Sequence, residues 1–117
     1  MIPQITSKEQ VINLAKQKRL YAALIQQIQR DFALSGLTIN LEDDIKPDML
    51  ITKLHSYIES LIATNFEGFL QLLYRIDIPE SDLKNTTVNI EEALPEKAVL
   101  ALLKREWEKV YYRSYFS

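Results

Sequence analysis

His55 and Glu59 stand four residues apart, a spacing that on a helix places an imidazole and a carboxylate on one face, where they could share an ion or a proton. His55 is the single histidine and there is no cysteine, so a metal would have to complete its shell from carboxylates alone. The Glu-x-x-His pairs that helical bundles use for this purpose are absent. A hydrogen bond on a helix surface is the simpler account of the pair. Glu42, Asp43 and Asp44, with Asp48 nearby, have the charge of a calcium loop but not its alternating oxygens, central glycine or closing glutamate. They read better as an acidic lead-in to the positive end of a following helix. Nothing resembles a G-x-S-x-G elbow or an S-x-x-K pair, and the two glycines, Gly36 and Gly68, are too far apart to cradle a phosphate. No catalytic residue, metal or cofactor is therefore expected, and the chain is read as a non-enzyme.

Two other groups suit recognition better than catalysis. Tyr74, Arg75 and Asp77 gather an aromatic, a guanidinium and a carboxylate at a helix end, where they could hold a partner. The plainer alternative has Arg75 capping carbonyls or pairing with an acid while Tyr74 packs. Further on, Lys104, Arg105, Lys109 and Arg113 alternate with Trp107, Tyr111, Tyr112, Tyr115 and Phe116, a mixture that can contact phosphates and stack on bases. Glu106 and Glu108 interrupt that basic run, and Trp107, Tyr111 and Tyr115 fit an inward face, so nucleic acid is the second choice of partner.

The elements that would carry these residues read as helices. Ser7 with Gln10, or Thr6 with Glu9, has capping-box spacing, and Val11, Leu14, Tyr21, Ile25, Ile28 and Phe32 then recur at helical steps until Gly36. Lys18 occupies one place where that stripe expects an apolar residue. Unbroken, this first helix would be about 40 Å long. Residues 37–46 read as an extended arm laid on the bundle, with Leu37, Ile39 and Leu41 turned inward. Pro47 suits the first turn of a second helix with Leu50, Ile51, Leu54, Tyr57, Ile58, Leu61 and Ile62 as its stripe. Asn65 can cap a third helix carrying Phe66, Phe69, Leu70, Leu73 and Ile76, yet the pattern also runs smoothly through residue 65 as one rod. Gly68 in its interior suggests a close helix crossing. Pro79 forces Ile78 out of the helical region, and residues 80–84 add a single turn. Pro95 then opens a last helix that buries Val99, Leu102, Leu103, Trp107, Val110 and Tyr111, with the residues after it fraying or docking.

Composition agrees. Two glycines and four prolines in 117 residues leave few turns, which disfavours an all-β fold, and 47% hydrophobic with 26% charged residues is an ordinary globular balance. The expectation is a single all-α domain over 1–117, a four-helix or irregular bundle with a long N-terminal helix. A net charge of −2 exerts no general pull toward nucleic acid or anionic lipid. The longest apolar run, Leu20 to Ile25, is too short to span a bilayer, and Met1 to Gln4 lacks a basic, apolar leader, so a cytoplasmic location without membrane attachment is expected.

The segment Phe69 to Ile78, followed by a loop and then Ala98 to Tyr112, resembles small uncharacterised bacterial helical proteins, a resemblance that covers the C-terminal half and implies no activity. The function expected from the residues is protein interaction or self-association through an apolar helix face, with the 37–41 arm and the C-terminal aromatics as the surplus apolar surface. Homodimerisation is expected because a first helix of about 40 Å would outreach its shorter neighbours. A nucleic-acid-binding protein and a ligand-binding or enzymatic bundle are the alternatives.

Overall fold

Ser7 is extended (φ −145°, ψ 157°); its hydroxyl accepts a hydrogen bond from the Gln10 N–H at 3.2 Å, while the Gln10 side chain accepts from the Ser7 N–H at 3.2 Å. That reciprocal pair satisfies amides that a helix start leaves open, and the first helix begins at the next residue. The computed structural model describes residues 5–79, residue 83 and residues 90–116. Among these, five helices and no strand are present: α1 (Lys8–Gln17), α2 (Tyr21–Leu34), α3 (Pro47–Thr64), α4 (Phe66–Ile76) and α5 (Ile90–Phe116). The turn expected over residues 80–84 lies outside the described residues apart from Leu83.

The long N-terminal helix is not formed; it is two helices, and the longest element is α5, with 27 residues. Arg19 adopts a left-handed backbone (φ 59°), Leu20 N–H bonds back to the Ala15 carbonyl at 2.7 Å and Arg19 N–H to that of Lys16 at 3.1 Å. This is the Schellman arrangement, here without the glycine that usually marks it. The break falls where Lys18 interrupts the apolar stripe, and it lets Val11, Ile12 and Ala15 of α1 and Leu24, Ile25, Ile28 and Phe32 of α2 reach the core at independent angles. The same pattern of bonds ends α2 at Gly36 (φ 79°) and α4 at Asp77 (φ 71°), so α4 stops before Pro79 can act on it.

Asn65 separates α3 from α4. Its N–H closes α3 on Leu61, and its side chain accepts from Gly68 N–H at 3.0 Å to open α4. The atoms nearest Gly68 belong to its own cap rather than to a crossing helix: a Cβ there would stand 2.5 Å from Asn65 Nδ2, so the missing side chain makes room for the cap. α5 starts five residues earlier than Pro95 predicts. Pro95 sits in the second turn, where its absent N–H removes a single bond near the helix end. The helix also continues to Phe116 rather than fraying, its last rings stacked as Tyr111 on Tyr115 and Tyr112 on Phe116, with Tyr115 exposed rather than inward.

At about 1.5 Å per residue α5 is roughly 40 Å long and runs the length of a molecule measuring 37 × 29 × 25 Å. Each of the other four helices packs on it. Val99, Leu102, Leu103, Trp107 and Val110 are buried among Leu50, Leu54 and Ile58 of α3, Phe69, Leu72 and Ile76 of α4, and the inward residues of α1 and α2. The arm before α3 lies as expected: Leu41 and Ile45 are buried, Leu37 and Ile39 are partly covered, Leu41 N–H bonds Gln29 Oε1 at 3.0 Å, and the Tyr21 hydroxyl donates to the Ile45 carbonyl at 2.6 Å.

The Asn65 cap yields a sign reversal. Asn65→Ala should cost about 1 kcal/mol. Gly68→Ala should destabilise the parent despite its better helix propensity, because the new methyl displaces the cap. In the Asn65→Ala background the same change should stabilise by up to about 1 kcal/mol. Urea unfolding of the four proteins measures this; additive effects would contradict the cap geometry.

Candidate functional site

The residues singled out for recognition separate into two groups with different fates. On α5, three of the four cations are committed internally. Arg105 lies 3.4 Å from Asp77 and 3.4 Å from Glu108, Lys109 Nζ is 2.8 Å from Asp31 Oδ2 and 3.3 Å from Glu106 Oε1, and Arg113 donates to Gln27 Oε1 at 2.6 Å. Lys104 alone of the four has no such partner among the described residues, and lies partly covered beside Leu100 and Ala101. The basic stripe is thus mainly a seam that fastens α5 to α2 and to the end of α4.

At the centre of that seam is a group the sequence did not suggest. Glu106 is fully buried, neighboured by Asp31 from α2, which is almost as deep. Gln27 Nε2 donates to Asp31 at 3.1 Å, so a relay runs from Arg113 through the Gln27 amide to Asp31, which also receives Lys109. Burial, then the adjacent Asp31, push the Glu106 carboxyl up to about 9 against a weaker pull from Lys109. Neither Glu106 oxygen accepts a well-formed hydrogen bond, Lys109 Nζ standing 3.3 Å from Oε1, and the raised carboxyl faces Asp31 as the protonated acid. Burial opposes ionisation of Asp31, but the hydrogen bonds from Glu106, Lys109 and Gln27 together outweigh it and lower its pKa. One proton, one carboxylate and one ammonium therefore form a neutral set in the interior. Glu106 occupies a place in the α5 apolar stripe between Leu103 and Val110, and that misplaced charge is the signal by which the set could have been found. Glu106 is sealed from solvent and Asp31 nearly so, and the pair joins α5 to α2.

His55 pairs not with Glu59 but with Glu96 of α5, at 3.3 Å, and Lys8 of α1 reaches the same carboxylate at 2.7 Å. The Lys8 hydrogen bond holds Glu96 below the usual carboxylate range. Asp43 of the acidic lead-in accepts from Gln26 at 3.0 Å. Among the described residues no group of three or more His, Asp or Glu side chains is gathered closely enough to hold a metal ion, and no helix is long and apolar enough to cross a membrane.

The second group faces outward on α4. Tyr74 does not pack; it is 89% exposed, and Arg75 beside it has no charged partner among the described residues. Phe66 and Leu70, expected in the core stripe, are 50% and 46% exposed, because Phe69, Leu72, Leu73 and Ile76 take the inward positions. Phe66, Leu70 and Tyr74 recur every four residues and so form one stripe about 12 Å long. Leu34, at the end of α2 and 52% exposed, joins Leu70, Gln71, Tyr74, Arg75 and Ser35 around a shallow surface depression of about 370 Å³. The Phe66 ring is held at 5.7 Å from that of buried Phe69, which fixes the far end of the stripe.

No protein-family model matches the sequence, no curated protein is similar to it, and no solved structure matches its fold.

The Glu106 proton makes stability depend on pH. Below its ordinary value of 4.5 the group is protonated folded or unfolded, whereas between 4.5 and about 9 only the folded chain keeps the proton. Its contribution is therefore complete at the acid end of that window and is lost as pH rises, by up to about 1.4 kcal/mol per unit. Asp31 acts in the opposite sense at lower pH, contributing above its ordinary value of 3.8 and losing that contribution as pH falls through its depressed one. Urea unfolding from pH 5 to 9 should show stability falling in the parent and a flatter profile in Glu106→Gln, which replaces the acid by a neutral donor. Equal slopes would place the proton elsewhere.

Proposed function

We propose that the protein is a non-enzymatic interaction module that binds protein through the outward face of α4 and the adjoining end of α2. The observation that carries this reading is the row Phe66, Leu70 and Tyr74 with Leu34 beside it: four large side chains, each about half exposed or more, of which Leu34, Leu70 and Tyr74 border one depression while Phe66 continues the α4 row. Scattered apolar residues are normal on a protein surface, whereas a contiguous patch is the usual mark of an interaction site. Composition fits as well, since aromatic and arginine side chains are the types enriched where proteins meet, and Tyr74 with Arg75 supplies both. The 37–41 arm offers less, because its apolar residues are turned onto the core. Nucleic acid is disfavoured as the partner by the engagement of Arg105, Lys109 and Arg113 within the fold.

A photo-crosslinking amino acid placed singly at Leu70, Tyr74, Gln26 and Ser56 tests the reading in cells. The first two positions lie on the proposed face, and the others are exposed sites on α2 and α3. One discrete protein adduct should form from Leu70 and Tyr74, disappear when Leu34→Asp is added, and be absent from Gln26 and Ser56. Adducts of equal yield at all four positions, or none at any, would remove α4 as the binding face.

A further inference from the structure

We infer that the occupant of the α4 face is a second copy of this chain, docked antiparallel across a twofold axis that passes between Leu70 and Gln71. The inference rests on the interaction reading above and adds the identity of the partner. Glu67 in the first turn and Arg75 in the last flank the apolar stripe on the same side, and among the described residues neither has a charged partner. They are eight residues apart, as are Phe66 and Tyr74, so the two pairs are centred on Leu70 and Gln71, about 1.5 Å apart along the helix, and an axis between those residues serves both. A twofold axis at that point sets Glu67 of each copy against Arg75 of the other, Phe66 against Tyr74, and Leu70 against its own mate. A parallel pairing would carry Glu67 and Arg75 of the two copies to opposite flanks of the seam, leaving each without the other, and would align the two helix dipoles unfavourably. The face is therefore complementary to itself in the antiparallel orientation only.

Area points the same way. Taking about 200 Å² for a fully exposed large side chain, the exposures of Leu34, Phe66, Leu70 and Tyr74 leave roughly 450 Å² of surface per chain. Doubled across the axis and extended by Glu67, Gln71 and Arg75, this reaches about 1,200 Å², the lower end for a specific interface. The dimer is thus a reversible one that forms with concentration.

Sedimentation equilibrium from low micromolar to millimolar protein tests this. The parent should pass from monomer to dimer, and Leu70→Asp should remain monomeric throughout with an unchanged circular-dichroism spectrum, since Leu70 lies outside the core. Glu67→Arg and Arg75→Glu should each weaken the dimer roughly tenfold, because the axis applies every clash twice. The double variant Glu67→Arg/Arg75→Glu should restore it. Each single change also loses a favourable helix-dipole contact and the double variant loses both, so recovery of the dimer cannot come from recovered helix stability. A parent that stays monomeric at millimolar concentration, a dimer indifferent to Leu70→Asp, or a double variant no better than the singles would each overturn the self-pairing. Crosslinking at Leu70 to a different protein by a monomeric parent would leave the α4 face standing with another partner, whereas loss of both results would remove the face itself.

Discussion

Along its middle, α5 has an inward surface that is too wide for any one neighbour, and the other four helices exist in this arrangement because together they cover it. Val99, Leu102, Leu103, Trp107 and Val110 are all but inaccessible to water, and Glu106 shares their surroundings. Burying a carboxylate there would be costly, and the chain avoids that cost by keeping Glu106 protonated against Asp31, whose own charge is met by Lys109. The polar set is directional where the apolar packing is not. Lys109 to Asp31 and Arg113 to Gln27 fix which residues of α2 lie beside which residues of α5. The Lys8, Glu96 and His55 contacts do the same for α1 and α3 at the other end of the helix.

The features legible in the sequence were those settled within one turn of chain. The Ser7 and Gln10 box, the stop at Gly36, Pro47 at a helix start and the inward set of α3 all depend on residues three or four apart, and all are present. The break at Arg19 was hidden because left-handed backbone is announced by glycine, and here an arginine adopts it. At Asn65 the apolar pattern passes through the junction undisturbed, so capping and continuity were equally good readings. Phe66 and Leu70 read as core residues because α4 carries large apolar side chains on more than one face, and which face turns inward is decided by α2, α3 and α5. The cations of α5 read as a free basic surface for a related reason, since the partners of Lys109 and Arg113 lie 78 and 86 residues away.

Charge and apolar surface divide the labour between them. Most of the candidate charges that suggested a binding surface are engaged within the fold: Arg105 meets Asp77 at the surface, Lys109 neutralises Asp31 in the interior, and Arg113 orients Gln27. The apolar surface that the fold leaves uncovered includes the outer face of α4 with the end of α2, where Glu67 and Arg75 stand at the margins, and the rings of Tyr112, Tyr115 and Phe116 at the end of α5. Such a surface selects a partner by shape and by the order of its edge charges rather than by long-range attraction, in keeping with a net charge near zero.

The position of α5 in the chain also sets a timetable. Synthesis proceeds from the N-terminus at about 5–20 residues per second, so α1 to α4 emerge from the ribosome seconds before the segment that covers them. During that interval Phe32, Leu54, Phe69 and Ile76 have no completed core to enter, and closure joins residues as distant in sequence as Lys8 and Glu96. A bundle of helices, the class in which neighbours usually meet early, must here wait for α5 to be made before it can shut.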